Sequence, residues 1–302
     1  MIIELNDTST KEIASELLRC RQDIGGTSGM VLTLVVVAED RHRDDVLAAA
    51  QASARAHPSR VIVVVYSPSD HAQLDAEIQV GEGVPGDFIA LRLRGGDLRR
   101  HADSVLLPLL LPDCPTVVWW PHEAPEDPAS DPIGAMADRR ITDAAGSPDP
   151  IAALIARAKN HTACDTDLTW TRLTRWRALL AAALDQYPHP ITGARIQSAP
   201  DNAPALLLSA WLQHSLKVPV TLEDRGLPGV SGVRLETADG DIVINRDNSG
   251  SIALYNVPGE PERKVALKRR PLTDLLTEEL ERLDPDAVFE NVLKSLLAEV
   301  ES

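Results

Sequence analysis

Two tryptophans and three arginines fall within eleven residues, Asp167-Leu-Thr-Trp170-Thr-Arg172-Leu173-Thr-Arg175-Trp176-Arg177, in a chain that is acidic and poor in aromatics. Trp and Arg both combine large contact area with a directed polar group, so the chemistry they suggest is recognition. At helical spacing Leu173, Trp176, Leu180, Leu184 and Tyr187 share one stripe, with Trp170 at its edge. Arg172 and Arg175 point elsewhere. Arg177 falls inside the stripe, where a guanidinium needs a carboxylate or several carbonyls to offset its desolvation. Two readings stand at this point. The segment is either a core helix with an internal ion pair, or a helix whose Trp/Arg edge docks a partner or sets one domain against the other.

Other residues with chemical potential are weaker signals. Gly81-Glu-Gly83-Val-Pro-Gly86 has the glycine spacing of a dinucleotide loop, but that motif must open a helix, and here a strand-like run, Phe88–Arg94, follows. A strand-connecting loop is the expected reading. The Gly25–Gly29 loop lacks the Gly-Lys-Ser/Thr ending of a phosphate cradle. The eight histidines are scattered, none pairs with another at helical ligand spacing, and no cysteine stands near one in a zinc pattern. His122-Glu123 follows Trp119-Trp120-Pro121 at the end of an expected strand, where α/β folds place ligands, although every strand end there also carries a loop. Trp119 and Trp120 are neighbours and so face opposite sides of a sheet. Arg263-Lys-Val-Ala-Leu-Lys268-Arg269-Arg270 is the one concentrated basic run. It is either a solvated strand edge or a patch for an anion or an acidic surface. No acid, base and nucleophile declare themselves together, so no catalytic residue, cofactor site or metal site is assigned.

The 302 residues carry 30 basic and 45 acidic side chains, a net charge of −15. That balance argues against nucleic acid and against an anionic membrane surface as partners. No apolar run is long enough to span a bilayer, and the N-terminus shows no basic region followed by an apolar stretch. Three cysteines without close spacing, Cys20, Cys114 and Cys164, suit a reduced, cytoplasmic chain.

The elements that must position these residues read as α/β. A capping box, Ser9 to Glu12, opens the first helix. Val31–Val37 and Arg60–Tyr66 are nearly continuous β-branched runs, the pattern of strands buried on both faces, and an alanine-rich helix from about Asp44 to His57 joins them as a βαβ unit. Glu77–Val80, Phe88–Arg94 and Thr116–Trp120 read as strands, Leu98–Leu110 as a helix, and the acidic, proline-rich Glu123–Pro132 as a loop. A helix over Ile151–Asn160 precedes the Trp/Arg segment. Beyond it come a strand near Ala194–Gln197, a helix over Ala203–Leu216 and a strand over Val218–Leu222. Four strands between Val233 and Lys268 then form an antiparallel meander, and helices Leu272–Arg282 and Asp286–Val300 close the chain. The expected fold class is α/β with two domains. The first, residues 1–165, has a mostly parallel helix-covered sheet. The second, residues 166–302, is α+β, with the antiparallel meander and terminal helices.

Asp165-Thr-Asp-Leu-Thr-Trp-Thr-Arg-Leu-Thr-Arg-Trp-Arg177 resembles a signature of the actinobacterial glucose-6-phosphate dehydrogenase assembly protein family, OpcA. Pro112-Asp-Cys-Pro-Thr-Val-Val-Trp-Trp-Pro121 is similar to a second stretch of that family, and the order of elements extends the likeness over most of the chain. The resemblance implies a non-catalytic accessory protein that supports assembly or activation of glucose-6-phosphate dehydrogenase in the oxidative pentose phosphate pathway. On that reading the expected partner contacts are Trp170, Arg172, Arg175, Trp176 and Arg177, then Trp119 and Trp120. The alternative is a small-molecule-binding α/β protein or enzyme, with its ligand at the C-terminal edge of the first sheet near Trp120 and His122.

Overall fold

A computed structural model of the protein describes residues 1–24, 29–81 and 86–301. In chain order the elements begin with β1 (Ile2–Leu5), α1 (Thr10–Ile24), β2 (Leu32–Glu39), α2 (Arg43–Ala56), β3 (Ser59–Ser67), β4 (Gln73–Val80) and β5 (Gly86–Arg94). The short helices α3 (Gly96–Arg100) and α4 (Ala102–Leu106) lead to β6 (Thr116–Trp119), β7 (Arg139–Thr142), α5 (Pro150–Lys159) and β8 (Asp165–Asp167). Then come α6 (Leu168–Thr171), α7 (Thr174–Gln186), β9 (Ile191–Ser198), α8 (Ala203–Leu216), β10 (Val220–Asp224) and β11 (Val230–Thr237). The chain ends through β12 (Ile242–Arg246), β13 (Ile252–Asn256), β14 (Arg263–Ala266), α9 (Leu272–Leu280) and α10 (Ala287–Val300).

The chain divides into two units. One comprises Met1–Asp143, Cys164–Thr166 and Leu272–Pro285; the other comprises Ala144–Ala163, Asp167–Pro271 and Asp286–Ser302. The first is built on the sheet of order β1-β4-β5-β3-β2-β6-β7-β8. Its centre is parallel, β5-β3-β2-β6-β7, with α2 forming the crossover from β2 to β3. β2 and the first seven residues of β3 are buried almost without interruption, which is why they read as continuous Val/Ile/Leu runs. β4 and β1 extend the edge antiparallel, and β4 alternates buried and half-buried residues as a strand with one wet face does. The capping box forms: the backbone N–H of Ser9 donates to Glu12 Oε2 at 2.9 Å, and that of Glu12 to Ser9 Oγ at 3.3 Å. Ile13 and Leu17 of α1 then reach a core shared with Val35, Ile62, Ile89 and Trp120.

α9 belongs to this first unit although it follows the meander in sequence. It packs beside α2, and Arg139 of β7 fixes it through Glu279 at 3.1 Å and the Asp284 carbonyl at 2.8 Å.

The second unit carries the sheet β10-β9-β11-β12-β13-β14. Its first pair is parallel and the rest form the antiparallel meander. Ala194, Ile196, Val233, Leu235, Ile244 and Tyr255 pack with Leu180 of α7, Leu207 and Leu208 of α8, and Phe289, Val292 and Leu296 of α10 in one core. The structure is thus α/β, with one mostly parallel and one mostly antiparallel sheet.

Two expected helices are broken. The Trp/Arg helix divides into α6 and α7, with the junction at Arg172–Leu173. Thr169, Thr171 and Thr174 are β-branched and lower helix propensity there, while Asp167 caps the first turn by accepting from the Thr169 N–H at 2.8 Å. The run Leu98–Leu110 becomes α3, α4 and a 3₁₀ turn over Leu107–Leu109, where Pro108 has no N–H to continue an α-helix.

Candidate functional site

The Trp/Arg segment is anchored from below. Trp170 is 2% exposed and Trp176 2%, and both belong to the core of the second unit with Leu173, Leu180 and Tyr187. The Trp170 indole N–H donates to Asp286 Oδ2 at 2.8 Å. The same carboxylate caps α10 through Oδ1, accepting from the N–H groups of Val288 and Phe289 at 2.9 and 3.0 Å. The Phe289 ring stacks on Trp170 with centroids 5.5 Å apart. Arg177, expected inside an apolar stripe, lies with its guanidinium carbon 3.5 Å from the centroid of the Trp170 ring. A flat cation on an indole face is well accommodated there, because the guanidinium is weakly hydrated and the ring presents negative charge.

Arg172 is half-buried and Arg175 exposed, and both reach a cleft of about 300 Å³ that lies wholly within the second unit. The cleft joins pieces distant in sequence. Leu173 and Trp176 meet Val230 and Leu267 as its apolar wall, while Arg246, Lys268, Arg269 and Arg270 add charge from β12 and the strand-to-helix connection. The basic run of the sequence therefore ends beside the Trp/Arg segment. Arg175 Nη1 donates to the Lys268 carbonyl at 3.4 Å. Arg246 donates to the carbonyls of Leu267 at 3.1 Å and Val230 at 2.9 Å, with its guanidinium carbon 5.3 Å from the Trp176 centroid. Burial, and then the charge of Arg269, push Arg246 down to about 10. Arg269 donates to the Pro228 carbonyl. It passes so close to Gly250, held at φ +71°, that a Cβ there would stand 2.8 Å from Arg269 Nη1. Asp201 and Asn202 bring the N-terminus of α8 to the same cleft, and Asn202 Oδ1 caps that helix at 2.8 Å from the Ala205 nitrogen.

Sequence reasoning singled out Arg172, Arg175, Trp176 and the 263–270 run separately. It missed Arg246, which looked like an ordinary outward residue of a meander strand, and the Asp201-Asn202 cap. Among these residues only the cap signal before Ala203 was available from sequence.

A second pocket, of about 340 Å³, lies in the first unit at the C-terminal ends of β2, β3 and β6. Glu39, Tyr66, Trp120, His122, Glu123 and Asp131 line it. The His42 and His122 rings stack with centroids 4.0 Å apart, Arg41 pairs with Glu123, and the Arg99 guanidinium lies 4.5 Å from the Tyr66 centroid. Trp119 and Trp120 flank the sheet as their adjacency required. Both are buried, at 0% and 2% exposure, and the backbone N–H of Trp120 donates to the Ile141 carbonyl at 2.9 Å. Of the glycine-bearing loops, residues 25–28 and 82–85 lie outside the described residues. Gly86 opens β5 at φ +97°, where an added Cβ would stand 2.0 Å from the Ser59 carbonyl oxygen. The three cysteines are free thiols. Among the described residues, no three His, Cys, Asp or Glu side chains gather in a group that could hold a metal ion. No described helix is long and apolar enough to cross a membrane.

Comparison with known proteins matches residues 50–159 to the family model for the N-terminal domain of the glucose-6-phosphate dehydrogenase subunit, and residues 163–293 to the model for the C-terminal domain of that same family. No curated protein matches the chain. Among solved structures it is similar to a 3-ketoreductase from Actinomadura kijaniata, at 9% identity over 90% of this chain and 96% of that one, with a TM-score of 0.49. It is also similar to a dehydrogenase, MviM, from Clostridium difficile, at 8% identity over 89% and 98%, with a TM-score of 0.46.

Proposed function

Because the chain belongs to the OpcA family of glucose-6-phosphate dehydrogenase assembly proteins, we propose that it is a non-catalytic accessory protein that binds glucose-6-phosphate dehydrogenase and promotes its assembly or activity in the cytoplasm. The observation that carries this reading is the tandem match of the family's N-terminal and C-terminal domain models across residues 50–293. An activator of this kind works by linkage. It must bind the active state or assembly of the dehydrogenase more tightly than the inactive one, and it can shift the equilibrium only by that difference.

Arg172 and Arg175 are the side chains of the Trp/Arg segment that we place at the partner. The buried Trp170 and Trp176 hold them from beneath, with Arg177 clamped on Trp170. Trp119 and Trp120 take part in the same indirect way, by fixing the end of β6. The test is glucose-6-phosphate-dependent NADPH formation by the dehydrogenase of the same organism, titrated with this protein. A saturable rise in kcat, or a fall in KM for the sugar phosphate, with no turnover by this protein alone, supports the reading. A flat titration with no co-elution of the two proteins sinks it.

A second reading rests on the first unit's pocket. Its place at the C-terminal ends of β2, β3 and β6 is where open α/β sheets hold ligands, so a small molecule bound near Trp120 and His122 is the alternative. A ligand-induced melting shift that His122→Ala abolishes would favour it.

A further inference from the structure

The cleft of the second unit has a property that assembly with a partner protein does not require. Elsewhere in this acidic chain arginines stand against carboxylates: Arg60 and Arg21 on Asp87, Arg195 on Glu236, Arg234 on Asp241. Four cations of the cleft, Arg175, Arg246, Lys268 and Arg269, are held differently. Arg175, Arg246 and Arg269 hydrogen-bond to backbone carbonyls, and none of them, nor Lys268, forms an ion pair among the described residues. Asp201, the carboxylate among the lining residues, pairs with none of these four.

Carbonyls fix the direction of a guanidinium but leave its charge uncompensated. Four cations around one concavity repel one another; Arg246 is depressed first by its burial and then by the charge of Arg269. The positive end of the fourteen-residue α8 points to the same space and adds to the field. In a chain with a net charge of −15, such a cluster stands out against the rest of the surface.

We propose that this cleft binds a small phosphorylated metabolite, with Arg175, Arg246, Lys268 and Arg269 around the phosphate and Trp176 and Leu267 against the remainder of the molecule. A phosphate ester brings about −1.5 to −2 charges and three strong acceptor oxygens, enough to satisfy several fixed donors at once, whereas one carboxylate brings a single charge. A cavity of about 300 Å³ has the volume of a site for a small ligand, and its apolar wall gives an ester's organic part a surface that free phosphate cannot use. Phosphate–guanidinium contacts are directional and charge-assisted, so the site distinguishes a phosphate ester from its parent alcohol by charge alone.

The experiment is calorimetric titration of the full chain, without the dehydrogenase, so that its outcome is independent of the activator titration. The probes are inorganic phosphate, sugar monophosphates with their parent sugars, and poly-glutamate. The expected result is saturable binding of at least one ester, none of its parent sugar, weaker binding of inorganic phosphate, and loss of affinity as salt is raised. Lys268→Gln combined with Arg269→Gln, both exposed, lowers affinity by about tenfold or more with an unchanged circular dichroism spectrum. Should that double variant unfold, Arg269→Lys alone, which keeps the charge and loses the fork, is expected to weaken binding less than Arg269→Gln. No saturable binding at millimolar ester, equal affinity for inorganic phosphate, preference for poly-glutamate, or binding indifferent to Arg269→Gln would each overturn the proposal.

Discussion

Trp170 and Asp286 lie 116 residues apart in sequence and meet through one hydrogen bond of 2.8 Å, from the indole N–H to Oδ2. The other carboxylate oxygen caps α10. One side chain therefore satisfies a buried indole and starts the last helix, which carries Phe289 back under the same indole. Trp170 is thereby a joint of the second unit's core, and its removal is a folding experiment. Trp170→Ala is expected to destabilise the protein by about 3–5 kcal/mol. Trp170→Phe, which keeps the ring contacts and strands the carboxylate oxygen, should cost about 1–2 kcal/mol. Urea unfolding followed by circular dichroism checks both. Equal stability of wild type and Trp170→Ala would contradict the packing described.

Asp87 is shared by two arginines of the first unit. Its Oδ2 accepts from Arg60 Nε and Nη2 at 3.0 and 2.8 Å and from Arg21 Nη2 at 2.7 Å, with the carboxylate fully buried. Arg60 also donates to the Leu109 carbonyl at 2.6 Å. Burial pushes the Arg60 guanidinium down and Asp87 pulls it back up. Removing one partner of a buried pair leaves an uncompensated charge, so Asp87→Ala should cost about 3–5 kcal/mol. Replacing Arg60 and Asp87 together by apolar residues should cost less than Asp87→Ala alone. Thermal or urea melts of the two variants decide, and the reverse order would refute the account.

Tyr66 gives the first unit an alkaline sensitivity. Burial, and then the charge of Asp131, raise its phenol well above the ordinary value of about 10, against the pull of Arg99. The sign follows from linkage. The folded state keeps the phenol proton while the unfolded chain releases it near pH 10, so this contribution is complete below pH 10 and is lost as pH rises beyond it. The urea midpoint of the wild type is expected to fall more between pH 8.5 and 10.8 than that of Tyr66→Phe. Parallel curves for the two proteins would show that Tyr66 titrates normally.

The large elements were legible because their patterns have one physical cause each. Continuous β-branched runs at Val31–Val37 and Arg60–Tyr66 read as strands buried on both faces, and β2 is so from Leu32 and β3 from Ser59, while Val31 lies before β2 and is exposed. The meander announced itself through its turn residues, and the Ser9–Glu12 box through its reciprocal bonds. β1, β7 and β8 were not legible. Arg139 and Arg140 sit buried in a strand because Glu279 and Asp165, supplied from far along the chain, neutralise them. The break between α6 and α7 was hidden by an apolar stripe that continues across it, since Trp170 and Trp176 on either side of the turn and Leu173 within it all stay in the core. The cleft was half visible: two charged segments could be named, but their meeting depends on where β12 and α8 place Arg246 and Asn202.

The arginines of the Trp/Arg segment separate recognition from folding. Arg172 and Arg175 stand at the surface of the cleft while their tryptophan neighbours are core. Arg175 makes one 3.4 Å bond to the Lys268 carbonyl, and exposed contacts of that kind contribute little to stability. Arg175→Ala is therefore expected to leave the unfolding free energy within about 0.5 kcal/mol of wild type. An arginine hot spot at an interface contributes about 2 kcal/mol or more to binding, so Arg172→Ala with Arg175→Ala should weaken association with glucose-6-phosphate dehydrogenase by about thirtyfold or more. The readout is the half-saturation point of the activation titration, together with co-elution at a fixed concentration of both proteins. A stable double variant that activates at the wild-type concentration would remove these two arginines from the docking surface and shift the search to the first unit. Loss of folding would show instead that they support the core, as Trp170 and Trp176 do.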